Sequence, residues 1–171
     1  MGPSLWSADP DIFASTNPAA VNYLSNLYGF YVDLGSHLDM LHESPLCMGI
    51  AWETDNVYWV FDGSDGSIVR YDFAEDHDVG YDDHSDGIIA RYVTGRVSRV
   101  ADVPSHLVYD DSSGLLYIAD TGNNRVAVLD TTSGKRGQNL PMSEQVVAHY
   151  CLLYTSPSPR DGRISRMPSS A

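Results

Sequence analysis

The stretch at residues 76–87, DHDVGYDDHSDG, concentrates side chains that can bind a metal ion. Calcium takes roughly six to eight oxygen ligands from carboxylates and carbonyls, whereas two histidines beside carboxylates suit zinc or another transition metal. Carboxylates this close together repel one another unless a cation joins them. The candidate ligands are Asp76, His77, Asp78, Asp82, Asp83, His84 and Asp86.

The residues alone leave three interpretations of this acidic loop open: a hydrated turn, a calcium site and a transition-metal site. The EF-hand spacing is absent, because Gly87 stands where that motif has a glutamate. Acidic loops are most often hydrated, but the density of carboxylates favours a weak calcium site, with a dissociation constant of about 10⁻⁴ to 10⁻³ M. Zinc is the less favoured ion and would use His77 and His84. The favoured calcium ligands are Asp82, Asp83 and Asp86, followed by Asp76 and Asp78.

Two segments, residues 45–73 and 104–130, repeat one pattern of strands and turns, in which Asp62 aligns with Asp120. In each segment, runs of aliphatic and aromatic residues are separated by turns rich in Asp, Ser, Gly and Asn. Repetition of four-stranded units, here with a period of about 57 residues, is typical of propeller blades. The predicted strands are 48–52, 57–61 and 67–71 in the first segment, and 106–109, 115–119 and 125–129 in the second.

The remaining segments complete this pattern. Alternation along residues 87–100 puts one set of side chains on each face and predicts the outer strand of the first blade, with a hairpin at Thr94-Gly95. The two sets are Ile88, Ala90 and Tyr92, and Ile89, Arg91 and Val93. Residues 131–142 predict a turn and an outer strand for the second blade. Near the N-terminus, Asn17 is predicted to cap a helix that ends at Gly29.

The segment HLVYDDSSGLLYIADTGNNRVAVLD, residues 106–130, resembles an NHL repeat, and residues 45–73 resemble it more weakly. The resemblance implies a β-propeller. We therefore expect an all-β fold, a partial β-propeller of about two NHL-like four-stranded blades with a short helical or irregular N-terminal segment. The resemblance also implies that Asp120 and Arg125 fix the turn between the second and third strands of a blade through a charge-assisted hydrogen bond.

The same resemblance makes His106 a candidate metal ligand, because it stands where NHL blades often have glycine, at the start of the innermost strand. Propeller lyases that resemble NHL proteins hold zinc with a histidine near this point. That histidine follows proline directly, whereas His106 is offset by one residue in Pro-Ser-His, so a structural role is favoured. His37 and His42, with Asp39 between them, are further histidines, and a channel site of His42 and His106 is conceivable although no motif requires it.

These patterns divide the chain into four parts. Residues 1–44 form an N-terminal segment, 45–100 the first blade with the acidic insertion 72–87, and 101–150 the second blade of a truncated propeller. Residues 151–171 turn abruptly Ser- and Pro-rich and resemble a translated sequencing adapter, so we expect an artefact tail with few contacts. Because propellers usually close with about four to eight blades, we expect the natural protein to continue.

The composition limits the classes of binding partner that we expect. A formal charge of −13 disfavours nucleic acid and anionic lipid as partners, and no run of about 18 apolar residues is present for membrane insertion. We therefore expect a protein or small-molecule ligand. The favoured function is an NHL-type module that binds such a ligand on its loop face. The alternative is a metal-dependent propeller enzyme, of lyase or lactonase type, with its site at the channel mouth.

Overall fold

Short β-strands joined by turns make up most of the chain in the computed structural model, which describes residues 3–153. These residues form eleven strands in three sheets, together with one α-helix and a single 3₁₀ turn. The fold is thus mostly β, as the sequence predicts. The helix α1 is Pro18–Tyr28, and the strands are β1 (Ser4–Trp6), β2 (His37–Met40), β3 (Cys47–Thr54), β4 (Val57–Asp62), β5 (Ser67–Asp72), β6 (Ile88–Tyr92), β7 (Leu107–Asp110), β8 (Leu115–Asp120), β9 (Arg125–Asp130), β10 (Lys135–Asn139) and β11 (Ala148–Leu153).

The largest sheet contains six strands in the order β10-β11-β6-β5-β4-β3. Within it, β3, β4, β5 and β6 form an antiparallel meander, which confirms the four strands predicted for the first repeat. The alternation predicted along β6 is also confirmed, because Ile89 packs in one hydrophobic cluster whereas Ala90 and Tyr92 pack in another. The two faces of this sheet are therefore both covered at β6.

The second repeat forms a three-stranded antiparallel sheet, β7-β8-β9. The turn between β8 and β9 begins at Asp120, whose carboxylate is fully buried. Arg125 Nε donates to Asp120 Oδ2 at 2.6 Å, and Asn123 Nδ2 donates to the same carboxylate at 2.9 Å. This contact confirms the charge-assisted hydrogen bond predicted between Asp120 and Arg125.

One hydrophobic core joins the six-stranded sheet to the three-stranded sheet. Trp59 of β4 is almost fully buried there, and its ring stacks on Tyr109 of β7 with the centroids 6.2 Å apart. The backbones also meet, because Ser105 N donates to Met48 O at 2.8 Å. The two repeats therefore pack against each other as predicted. The other buried members of this core are Phe61, Ile68, Ala90, Tyr92, Val97, Leu107, Leu116, Ile118, Ala127 and Leu129.

One predicted strand pairing and one predicted hairpin are wrong. The outer strand expected for the second repeat forms at Lys135–Asn139, but it pairs with β11, and β11 lies parallel to β6. Without β11, the outer edge of β6 would leave backbone groups unpaired. The chain between β6 and β11, which includes the second sheet, is long enough for the connection that parallel pairing requires. The hairpin predicted at Thr94-Gly95 is a turn without a second strand. Within residues 3–153 the second sheet keeps three strands, and the sheets do not close into a propeller.

The N-terminal helix has the predicted boundaries. The Asn17 side chain accepts hydrogen bonds from the backbone of Ala19 and Ala20, and Gly29 ends the helix with a φ of 76°. Strand β1 was not predicted, and it pairs with β2 in a separate two-stranded sheet. No helix in the part of the chain that the structure describes is long and apolar enough to cross a membrane.

Three residues of the predicted tail belong to the folded body. Cys151, Leu152 and Leu153 form the end of β11, and Leu152 packs against the main core. The expectation of few contacts is therefore wrong for these residues, because the open edge of β6 pairs with their strand. The rest of the segment expected to derive from an adapter, residues 154–171, lies outside the described residues.

Candidate metal centre

Three separate segments bring histidines and carboxylates together at one end of the strands of the six-stranded sheet. Strand β2 carries Asp39, and the acidic loop between β5 and β6 carries His77 and His84. The connection between β10 and β11 carries Glu144. The connections that lead into β6 and β11 lie at the same end of the sheet because these two strands are parallel neighbours. The topology therefore collects residues that are distant in the sequence.

The acidic loop is held against the N-terminal segment by hydrogen bonds. Gly80 N donates to His37 O at 3.0 Å, and Asn17 Nδ2 donates to Val79 O at 3.0 Å. Gly80 has a φ of +85°, and a Cβ at this position would lie 2.6 Å from Gly35 O. Glycine therefore permits both the backbone conformation and the close approach of the two segments.

The potential ligand atoms of Asp39, His77 and His84 form a compact triangle. The Nε2 atoms of His77 and His84 are 3.1 Å apart, and Asp39 Oδ1 lies 3.6 Å from the first and 3.7 Å from the second. Zinc binds such ligands at about 2.0 to 2.2 Å, which separates the corners of its coordination tetrahedron by roughly 3.4 Å. The triangle thus has the dimensions of three corners of a zinc tetrahedron.

Hydrogen bonds at the other ring nitrogen orient both imidazoles. His77 Nδ1 lies 2.7 Å from Asp78 O, and His84 Nδ1 lies 2.8 Å from Glu144 Oε2. A carbonyl or an ionised carboxylate only accepts hydrogen bonds, so each Nδ1 carries a proton and donates it. In its neutral form each ring then presents a lone pair at Nε2, which is the usual arrangement of a metal-binding histidine and its hydrogen-bonded neighbour.

A positive charge between the three atoms would stabilise this arrangement. Two imidazole lone pairs at 3.1 Å repel each other unless a proton or a metal ion lies between them. One proton joins only two of the three acceptors, whereas a divalent cation joins both nitrogens and the Asp39 carboxylate. The geometry therefore fits a metal-ligand set better than it fits a hydrogen-bonded pair of histidines.

The triangle is largely shielded from solvent. The side chains of Asp39, His77 and His84 are 7%, 4% and 2% exposed, respectively. Burial raises the pKa of the Asp39 carboxyl to about 7, and the nearby His84 opposes that rise. A bound cation favours the ionised form of a carboxyl group. Coordination would therefore offset the cost of placing the Asp39 charge in this buried position.

Glu144 lies behind the triangle, in a second group with His42 and His84. Its Oε2 accepts the hydrogen bond from His84 Nδ1 and lies 3.8 Å from His42 Nε2. Because the protonated Nδ1 of His84 donates to it, Glu144 acts as the acceptor that orients a ligand, as carboxylates do beside many zinc-bound histidines. The loop that carries Glu144 is fixed by a hydrogen bond of 2.8 Å from Val147 N to Gly87 O.

The match to a known protein family lies in the second sheet. Residues 100–129 match the family model of the NHL repeat. The chain carries an NHL repeat. The match spans β7, β8 and nearly all of β9, including the Asp120–Arg125 contact, and it confirms the resemblance found in the sequence. Comparisons with curated proteins and with solved structures gave no match.

The ligand triangle lies outside the NHL repeat, whereas His106 lies within it. His106 is exposed, and its backbone oxygen accepts a hydrogen bond from Ala119 N at 2.9 Å. It belongs to neither group of potential metal ligands found within residues 3–153. The structure therefore does not join His106 to His42, whereas it does bring His42 near Glu144.

The five aspartates predicted to bind calcium belong to neither group of potential ligands found in the described chain. Four of them accept hydrogen bonds, and those at Asp76 and Asp83 come from the backbone two residues later, as is typical of turns; the fifth, Asp78, is exposed. Calcium binding by these carboxylates stays a prediction. The four contacts run from Asp78 N to Asp76, Tyr28 Oη to Asp82, Ser85 N to Asp83 and Glu75 N to Asp86, at 2.8, 2.9, 3.0 and 3.1 Å.

The sequence singles out His77 and His84 but gives no reason to join them to Asp39 or Glu144. The available signal is the alternation of His37 and Asp39 along β2, which places two potential ligands on one face of a strand. No local pattern marks Glu144, because its position depends on the parallel pairing of β11 with β6.

Proposed function

We propose that this chain is an NHL-type module that binds a divalent transition-metal ion, best matched by zinc, through Asp39, His77 and His84. The observation that carries the proposal is the spacing of the three ligand atoms, 3.1 to 3.7 Å. Support also comes from the donated Nδ1 protons of both histidines, which leave Nε2 free to coordinate.

The ligand types favour zinc over calcium at this position. Calcium prefers oxygen ligands, whereas imidazole nitrogen suits zinc, iron and copper. Two histidines and one carboxylate bind zinc in several enzymes and iron(II) in others. The tetrahedral spacing agrees best with zinc, so zinc is the ion with which the site should first be tested.

An ion at this position would connect separate parts of the chain. Asp39 lies on β2 in the small two-stranded sheet, whereas His77 and His84 lie in a loop of the six-stranded sheet. The larger sheet packs in turn against the NHL repeat. NHL repeats generally form binding modules, and we expect the ion to fix the loops of such a module. The proposed ligand of the module is a protein or a small molecule.

A metal-dependent enzyme is the second candidate function. Three protein ligands leave one position of a zinc tetrahedron for water or substrate, which is the arrangement of catalytic zinc sites. An enzyme of this kind also needs a path from solvent to the ion. The ligand side chains are at most 7% exposed, and this burial favours the binding module with a structural ion.

Isothermal titration calorimetry with zinc tests the proposal. The 171-residue chain, freed of metal with a chelator, should bind one zinc ion, and His84→Ala should remove that binding. The matched control is His106→Ala, which changes an exposed histidine of the NHL repeat and should bind zinc like the wild type. Circular dichroism confirms that each variant is folded. A folded wild-type chain that takes up no zinc, or equal binding by His84→Ala, would contradict the proposal.

A further inference from the structure

We infer that His37 Nε2 supplies the fourth ligand and closes the zinc site as a four-coordinate centre of three histidines and one aspartate. The inference rests on the metal site proposed above and assigns its last position. That position decides the class of the site, because structural zinc sites are filled by four protein ligands, whereas catalytic sites keep one position open.

The Nε2 atom of His37 is a buried nitrogen without a partner. The His37 residue is 1% exposed, and its Nε2 has no hydrogen bond within residues 3–153. Its Nδ1 lies 3.1 Å from Leu34 O, so Nδ1 carries the proton and Nε2 presents the lone pair. Buried polar atoms in native proteins rarely lack a partner. Coordination of a metal ion would satisfy this nitrogen without a change of tautomer.

Strand β2 places His37 beside the other ligands. His37 and Asp39 are two positions apart on the strand and therefore project from the same face. The ring centroids of His37 and His77 are 5.8 Å apart, compared with 5.0 Å for His77 and His84. Two imidazoles bound through Nε2 to one tetrahedral zinc ion have centroids roughly 5 Å apart. His37 itself falls outside both groups of potential ligand atoms found within residues 3–153, so coordination requires its ring to move toward His77 and Asp39.

The backbone already connects His37 to the loop that carries the other two histidines. The hydrogen bond from Gly80 N to His37 O, 3.0 Å long, joins β2 to the middle of that loop. The ring of His37 also faces the ring of His77 at an interplanar angle of 47°. A fourth ligand from β2 thus strengthens an existing junction instead of requiring a new one.

Charge balance also agrees with a site of four protein ligands. Zinc with one carboxylate and three neutral imidazoles retains one positive charge. The Glu144 carboxylate, which accepts the hydrogen bond from His84 Nδ1, lies close enough to neutralise that charge. A buried metal group with no net charge is less costly to desolvate than a charged one. The site therefore needs no bound anion to balance its charge.

Zinc K-edge X-ray absorption on the zinc-loaded wild-type chain is the first test. We expect four nitrogen or oxygen neighbours at about 2.0 to 2.1 Å, with outer-shell scattering from three imidazoles. His37→Ala should lose the scattering of one imidazole, and His106→Ala should lose none. A wild-type spectrum with two imidazoles and an additional oxygen would overturn the role of His37 while leaving the zinc site standing. Failure of the wild-type chain to bind zinc would instead overturn the proposed function.

Cobalt substitution provides an independent test of the fourth position. Azide should leave the visible spectrum of the Co²⁺-loaded wild type unchanged but should alter that of His37→Ala, where a coordination position has opened. Zinc affinity of His37→Ala should fall by at least roughly tenfold, since even outer-shell partners of zinc ligands contribute about 10- to 100-fold. Added imidazole should restore part of that loss. A wild-type cobalt spectrum that responds to azide would overturn the inference, even if His37→Ala fails to fold.

Discussion

The Nε2 atoms of His77 and His84 face each other at 3.1 Å, while the Nδ1 atom of each ring hydrogen-bonds an oxygen atom elsewhere. A donating Nδ1 on each ring leaves both Nε2 atoms to act as acceptors, at 3.6 and 3.7 Å from Asp39 Oδ1. The acidic loop therefore buries the ring atoms of its two histidines, whereas Asp76 and Asp83 accept local hydrogen bonds within the loop.

Zinc should stabilise the folded chain, because it binds a site that the unfolded chain lacks. At a free zinc concentration about 100 times the dissociation constant, the free energy of unfolding should rise by about 2.7 kcal/mol. Thermal unfolding with and without zinc measures this effect. Calcium at the same concentration should produce a smaller shift, because two of the three ligand atoms are imidazole nitrogens. A larger shift with calcium, or a zinc shift that persists in His84→Ala, contradicts the assignment.

Replacing Glu144 with glutamine should weaken zinc binding without abolishing it. The amide is a weaker acceptor for His84 Nδ1–H than the carboxylate, so the affinity should fall by about 10- to 100-fold. Glu75→Gln is the matched control, because Glu75 lies in the same acidic loop and its side chain is exposed. Competition with a chromogenic zinc chelator measures both affinities. Equal affinities of the two variants would show that Glu144 does not orient His84.

Gly80→Ala should separate the acidic loop from the segment before β2. The added Cβ would meet Gly35 O at 2.6 Å and would also occupy a positive φ. Gly95→Ala is the control, since Gly95 has a φ of +71° but nothing within 4 Å of its Cβ position. Both variants should lose about 1 kcal/mol of stability through backbone strain. Only Gly80→Ala should also lose zinc affinity, and unchanged zinc binding by it would indicate that this contact does not position the ligands.

Asp120→Ala should destabilise the NHL repeat strongly. The substitution leaves Arg125 without its buried partner and removes the acceptor of Ser98 N, which lies 2.7 Å from Asp120 Oδ1. The free energy of unfolding should fall by about 3 to 5 kcal/mol. Denaturant unfolding measures the loss, with Asp111→Ala as the control at an exposed aspartate. A change below about 0.5 kcal/mol would be that of an ordinary surface substitution and would contradict this role for Asp120.

The helix and most strands could be predicted because their signals are local. Asn17 and Gly29 mark the two ends of α1 in the sequence and occupy the N-cap and C-cap positions in the structure. Turn residues likewise separate the strands of each repeat and fix their limits. The pairing of β10 could not be predicted, because it joins β11, which in turn pairs with the distant edge of β6.

Alignment of the two repeats matched Asp62 with Asp120, but the two aspartates bind arginines from different strands. Asp120 pairs with Arg125 in the turn that follows β8. Asp62, its counterpart, instead accepts a hydrogen bond from Arg91 of β6 at 2.9 Å. Arg70, the arginine on the strand that follows Asp62, pairs with Glu53. In the first repeat, the arginine comes from the fourth strand, β6. The second sheet has three strands within the described residues, so it has no fourth strand to carry an equivalent arginine. Equivalent carboxylates are therefore satisfied by different strands.

The candidate site could be predicted only in part, for the same reason. His77 and His84 are conspicuous because they lie within one short acidic stretch. Asp39 and His37 become relevant only when Gly80 packs against the segment before β2 and joins the loop to that strand. The density of aspartates favoured calcium in the sequence, but the two histidine side chains are at most 4% exposed, whereas none of the five candidate aspartates is buried.

Anomalous diffraction from crystals of the zinc-loaded 171-residue chain tests the central claim most directly. Data collected on both sides of the zinc absorption edge should give one strong difference peak, about 2.0 to 2.2 Å from Asp39 Oδ1, His77 Nε2 and His84 Nε2. Zinc found only at exposed side chains such as His106, with no peak between these three atoms, would contradict the account.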